Sequence, residues 1–277
     1  MTPVMSEFEY RKAPYRSASA LKKLVTADMT TFVCGLTLVR HGETQYNKDG
    51  LLQGQSVDLP LSEIGLQQAQ AAAEFLKQVH FSHVFASDML RAQETAQTIA
   101  KVNRSCSGLQ VMCDPLLKEI SFGMAEGGPM QVVKEMAAAA GQVFPGFTPP
   151  GGETQEQVKL RFVQFWGKML QKIGSNIQTE PNDRFSSGLS TVPPNVTVCD
   201  LPRHALLVSH GAYMCVAVRY LVQDLGCTLP QGCDEAKMFA LSPNAGISHF
   251  TLTLRKDGDS VQVLGVNCQV INKGVDK

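Results

Sequence analysis

Two short apolar runs in this sequence stop at the same dipeptide: LTLVRHG over residues 36–42 and LLVSHG over residues 206–211 both end in His-Gly. Short apolar runs that stop at a turn signal read as strands buried on both faces, as in a parallel sheet. Helical patterns lie between them. SEIGLQQAQAAAEFLKQV carries Leu66, Ala69, Ala73 and Leu76 at helical spacing behind Ser62 as N-cap. HVFAS then reads as a strand, DMLRAQETAQTIAKV as a helix capped by Asp88, and GLQVMCD as another strand. Residues 129–140 and 153–173 read as helices, the second with core spacing at Phe162, Phe165, Trp166 and Met169. ALLVSH reads as a buried strand, AYMCVAVRYLVQDL as a helix, and KMFALS and SHFTLTLR as two late strands. Strands joined through helices give an α/β chain. The expected fold is a three-layer α/β/α sandwich with a mostly parallel central sheet, in one domain over residues 31–277.

Two stretches stand apart from this pattern. Residues 1–30 are basic and serine-bearing around RKAPYRSASALKK after an acidic start at Glu7 and Glu9. They are expected to form a disordered or alternative-start extension, because a mitochondrial presequence is poor in acid. The expected location is cytoplasmic, with mitochondrial association left open by the basic stretch, and a protein partner would dock through this extension. Residues 175–202 are rich in Ser, Pro and Asn without periodicity and read as an irregular excursion. The sequons at Asn103 and Asn195 are taken as chance.

Charge and cysteine content narrow the function. With 25 basic and 25 acidic side chains the net charge is zero, so no long-range field points to nucleic acid or an anionic membrane. Any anion site has to be built locally. The eight cysteines include no C-x-x-C pair, which disfavours a zinc knuckle or a redox motif and suggests reduced thiols. No apolar run is long enough for a membrane span.

In open α/β sheets ligands bind beyond the carboxyl ends of the strands, so the two His-Gly corners are expected to face one pocket. A neutral imidazole beside Arg40 resists protonation and keeps a lone pair for attack, which suits His41 as a nucleophile. Arg91, at the start of the helix after VFASD, and Glu119, after the strand LQVMCD, fall on the same rim. Guanidinium forks match phosphate oxygens, and a carboxyl can supply a proton. Phosphoryl transfer asks for little more than an in-line acceptor, charge neutralisation and protonation of the departing oxygen. His80 and His83 have a metal-like spacing but no Asp or Cys joins them, and no metal or cofactor is expected. Thr44 is open between touching phosphate and capping its turn.

LVRHGET with Asn47 following, SDMLRAQETA, LKEISFGMAEG, PPGGET and LLVSHGAYM occur in this order between about residues 35 and 255. These blocks resemble the histidine phosphatase superfamily, which includes cofactor-dependent phosphoglycerate mutases and fructose-2,6-bisphosphatases. The resemblance implies a phosphoglycerate mutase-like sandwich in which His41 becomes the phosphohistidine. Arg40, Arg91 and His210 would hold the phosphoryl group, Asn47 would donate to it, and Glu119 would protonate the leaving oxygen and later activate water. Gln53 and Gly54 fall where the family's loop touches the substrate, and Gly211 follows the second histidine in the binding set. The implied activity is metal-independent hydrolysis of a small phosphorylated metabolite, fructose-2,6-bisphosphate to fructose 6-phosphate, lowering glycolytic flux. The alternatives are a 2,3-bisphosphoglycerate phosphatase or phosphoglycerate mutase, and a weakly active scaffold that binds a partner. A mutase would carry a basic insert, whereas GGPMQVVKEMAAAAG has only Lys134. Lys118, Lys134, Lys159, Arg161 and Lys237 are all candidates for a second phosphate.

Overall fold

The computed structural model describes residues 29–175 and 201–275, so most of the extension and of the excursion lie outside the described residues. Strand β1 (Thr30–Arg40) sits mid-sheet. It pairs in parallel with a strand much later in the chain, Leu38 opposite Leu207 and Arg40 opposite Ser209. With β2 (His83–Ala86), β3 (Val111–Cys113), β4 (His204–Ser209), β5 (Ile247–Asp257) and β6 (Ser260–Lys273), the sheet order is β3-β2-β4-β1-β5-β6. The pairings from β3 through β1 are parallel and the two that involve β5 are antiparallel, so the sheet is mostly parallel.

The period-2 alternation of β1 sorts its side chains between two cores. Phe32, Cys34, Leu36 and Leu38 meet α5 (Gln155–Ser175) and α6 (Gly211–Arg219), burying Phe162, Phe165, Trp166, Met169, Tyr213 and Met214. Val39 joins the opposite core with α2 (Glu63–Leu76) and α3 (Leu90–Val102), where Ala72, Leu76, Ala96 and Ile99 are buried. The α/β/α layering follows from that division. Short helices α1 (Gln45–Lys48), α4 (Met130–Ala139) and α7 (Glu235–Met238) lie in the connections.

Ser62 caps α2 by accepting the Gly65 amide at 3.0 Å. Leu66, however, is half exposed, and the inward face runs instead through Gly65, Ala69, Ala72, Ala73 and Leu76. The close approach explains this: a Cβ on Gly65 would strike the Glu43 carbonyl, and one on Gly42 would strike the Gly65 carbonyl. Asp88 does not cap α3, whose N-cap is Met89. The Leu90 amide is taken by Asp58 from a distant loop at 2.8 Å. KMFALS is not a strand: it spans the end of α7 and a loop whose apolar side chains wall a cavity instead of joining a ladder. AYMCVAVRYLVQDL is regular only to Arg219, then widens into a π-turn over Tyr220–Asp224, and Gly226 ends it at φ 64°. Strand β6 has no counterpart in the sequence reading. Asn103 is buried and donates to the Leu76 and Val79 carbonyls, and the seven described cysteines are free thiols.

Candidate functional site

His41 follows directly on the end of β1, and His210 directly on the end of β4, the neighbouring strand. Their ring centroids are therefore 5.2 Å apart, edge to face. The His41 amide donates to the Ser209 carbonyl and its carbonyl accepts from Ala245, which fixes the backbone on both sides. His41 Nδ1 donates to the Gly42 carbonyl at 2.7 Å, which assigns the ring proton to Nδ1 and the lone pair to Nε2. Burial, then Arg91 and Arg40, hold the imidazole well below its ordinary value, so it is neutral at pH 7.

His210 has the opposite tautomer. Its Nδ1 accepts from Arg91 Nε at 3.1 Å, and burial followed by the Arg91 charge keeps the ring neutral, so the proton sits on Nε2. That N–H is buried and has no partner among the described residues. Arg91 is fully buried, with Nη1 donating to the Val57 carbonyl and Nη2 to the Gly54 carbonyl. Gly54 is thus placed behind Arg91. Burial lowers Arg91 to about 10, which leaves it charged at neutral pH. Arg40 lies across the start of α6, where a Cβ on Gly211 would come within 3.2 Å of its Nε. It donates from Nη1 to the Ser242 carbonyl at 2.7 Å, while Nε is buried and has no partner among the described residues.

The remaining polar groups complete a donor-rich floor. Thr44 caps α1, accepting the Asn47 amide and donating to Gln53 Oε1 at 2.7 Å, which settles its role in favour of the turn. Gln53 Nε2 is then buried without a partner among the described residues. Asn47 Oδ1 accepts from the Thr44 amide and from Asn244 Nδ2, which leaves its own Nδ2 as the free donor. Glu119 is buried against the first turn of α6. Oε1 accepts from Tyr213 N and Ile120 N, each at 2.8 Å, and Oε2 from Ala212 N at 3.1 Å. A helix N-terminus presents such amides to an anion.

A carboxylate hub behind this floor was not legible in the sequence. Glu126 accepts from the amides of Gln55, Ser56 and Phe122 and from the Ser56 and Ser121 hydroxyls. Burial alone would raise it, yet these bonds bring it below its ordinary value. Through them it shapes the loop whose carbonyls hold Arg91. Arg161 binds Glu153 and the carbonyls of Leu116, Lys118 and Glu119, so it is a frame residue. Asn244 and the Ser242 carbonyl were also missed, because KMFALS resembled a strand.

A cavity of about 450 Å³ opens over Arg40, Asn47, Gln53 and Glu119, and its walls include Leu52, Phe122, Phe144, Phe147, Phe239 and Leu241. Lys118, Lys134, Lys159 and Arg161 do not line it. Lys118 pairs with Asp88 and Lys159 with Asp224, and the Lys237 side chain lies outside the described set. His83 is buried beside Phe85 and His80 is exposed; no group of three His, Cys, Asp or Glu that could hold a metal ion occurs among the described residues. No described helix is long and apolar enough to cross a membrane.

Residues 36–177 match the family described as Histidine phosphatase superfamily (branch 1). The chain is 48% identical over 245 residues to the probable fructose-2,6-bisphosphatase TIGAR A of Danio rerio, covering 86% of this chain and 96% of that one. It is 39% identical over 270 residues to the fructose-2,6-bisphosphatase TIGAR of Bos taurus, covering 90% and 99%. The phosphoglycerate mutase structure from Bacillus anthracis shares the fold at 21% identity, with a TM-score of 0.62 over 88% of this chain and 94% of that one. The chain belongs to the histidine phosphatase superfamily, and its class of chemistry is the hydrolysis of phosphate monoesters.

Proposed function

We propose that this chain hydrolyses fructose-2,6-bisphosphate to fructose 6-phosphate through a phosphohistidine on His41, without a metal. One observation carries the reading: among the described residues Arg40 Nε, Gln53 Nε2 and His210 Nε2 are buried donors without partners, on His41's chain neighbour, on the bonding partner of Thr44 and on the ring beside His41, whose own proton is committed to the backbone. Unpaired buried donors are costly, and an oxyanion satisfies all three. His41 Nε2 attacks phosphorus, the bond to the sugar oxygen breaks, and Glu119, which has to enter this step in its protonated form, gives that oxygen its proton. Water then attacks phosphorus, Glu119 takes its proton, and the nitrogen–phosphorus bond breaks. Arg40 and Arg91 neutralise the phosphoryl charge throughout. The bisphosphate substrate is supported by the names of the relatives. A cytoplasmic setting, mitochondrial association through the extension and a lowering of glycolytic flux belong to the same proposal.

The test compares kcat/KM for fructose-2,6-bisphosphate, 2,3-bisphosphoglycerate and p-nitrophenyl phosphate in EDTA. Fructose-2,6-bisphosphate is expected to lead, and His41→Ala to abolish both turnover and acid-labile phosphate on the protein. Label trapped on His210, or activity that returns only with magnesium, overturns the mechanism.

A further inference from the structure

A bisphosphate brings a second anion, and the cations of the described cavity wall are two: Arg40, at the phosphoryl floor, and Arg219. Arg219 is the last residue of α6, whose first residue, Gly211, follows His210. Eight residues at about 1.5 Å rise separate the two ends by roughly 12 Å along the helix axis, and helical side chains lean back toward the N-terminus. That lean brings the guanidinium back toward the floor from an upper limit of roughly 12 Å, a range that admits a hexose-sized body between the two cations of the cavity wall.

Its environment holds the fork ready. The guanidinium carbon lies over the Phe239 ring, 5.6 Å from the centroid. Nη1 donates to Gln155 Oε1 at 2.9 Å, and Gln155 Nε2 in turn donates to the Pro145 carbonyl at 2.8 Å. The ring contact and the amide restrain the side chain, and the one protein hydrogen bond that Arg219 makes among the described residues leaves Nε and Nη2 for a ligand. Among the described residues Arg219 carries no acid partner, unlike Lys118, Lys159 and Arg161. Toward the floor on the same helix, Cys215 lines the cavity as a neutral thiol, raised by burial to about 11, and does not compete for the charge.

We infer that Arg219 is a specificity-determining residue that binds the second, non-reacting anionic group of the substrate, and that the cavity selects phosphate esters with an anion at the far end of a hexose-sized body. This rests on the phosphatase reading above. A charged group in such a contact contributes through KM, because the distal anion does not change in the transition state.

The experiment measures wild type, Arg219→Gln and Arg219→Lys on fructose-2,6-bisphosphate and on p-nitrophenyl phosphate, which has no second anion. For Arg219→Gln, KM for the bisphosphate should rise about 10- to 100-fold with kcat within a few-fold, while the aryl ester loses less than about threefold. Arg219→Lys should recover part of the loss. Equal losses on both esters, or none on the bisphosphate, overturn the assignment. If the wild type turns over no fructose-2,6-bisphosphate, the proposed substrate fails, and Arg219 is then read from fructose-1,6-bisphosphate as a competitive inhibitor of aryl ester hydrolysis. A Ki that rises about 10-fold or more in Arg219→Gln keeps the anion contact, and an unchanged Ki removes it.

Discussion

Glu119 is the residue on which the proposed chemistry leans twice, once as acid and once as base. Its carboxylate sits on three backbone amides, two of them in the first turn of α6. Replacing it by Gln keeps an acceptor for Tyr213 and Ile120 but turns the carboxamide NH2, a donor, toward the Ala212 N–H and removes the transferable proton. Loss of acid catalysis costs about 10² to 10⁴ in rate when the leaving group is a poor one. A sugar alkoxide needs the proton and p-nitrophenolate does not. Single-turnover phosphorylation of His41 in Glu119→Gln should therefore fall far more for fructose-2,6-bisphosphate than for the aryl ester. Equal losses would reduce Glu119 to a positioning group. The histidines, Arg40, Arg91 and Glu119 could be read from the sequence because each follows a strand end or a short block of fixed order. Arg219 could not, since a lone arginine near the end of a helical pattern gives no sign of which face it occupies.

Three strands are tied together by one hydroxyl. Thr37 Oγ1 on β1 lies 2.7 Å from His204 Nε2 on β4 and 2.8 Å from His249 Nδ1 on β5, and all three residues are buried. Thr37→Val preserves shape and deletes the shared partner, so it should cost about 1–3 kcal/mol in urea unfolding. The folded fraction should keep its aryl ester activity, and an unchanged midpoint would show that the bridge is dispensable. Elements of this kind are legible where the pattern is unbroken: β1, β4, α2 and α5 are long or strongly periodic. β6 escaped because it is an edge strand, half exposed along most of its length, and its register against β5 shifts three times. KMFALS misled for the converse reason, since its apolar residues serve the cavity and pair with no ladder.

At the scale of the molecule, neutral buried histidines set the response to acid. Burial, then Lys273, lowers His249 to about 4, and His41 and His210 are also lowered. Below the ordinary value of 6.5 the unfolded chain takes up protons that the folded chain refuses. Stability is thus undiminished above pH 6.5 and falls as pH drops toward 4. His249 alone accounts for about 3 kcal/mol of that loss. Urea midpoints should hold between pH 7.5 and 6.5 and decline from there to pH 5, less so in His249→Asn. A flat profile would mean that these rings titrate normally. The placement of β1 has a consequence for synthesis as well. Thr37 and its partner on β5 are 212 residues apart, and the flanking β4 contact is 167 residues away. At about 5–20 residues per second, Leu36, Leu38 and Val39 leave the ribosome roughly 10–40 seconds before the strands that will flank them on both sides exist. The sheet cannot close around β1 in that interval, so its apolar side chains stay without flanking strands until translation has passed β5, and a chain that ends before β5 lacks one wall of the strand that carries His41 to its place.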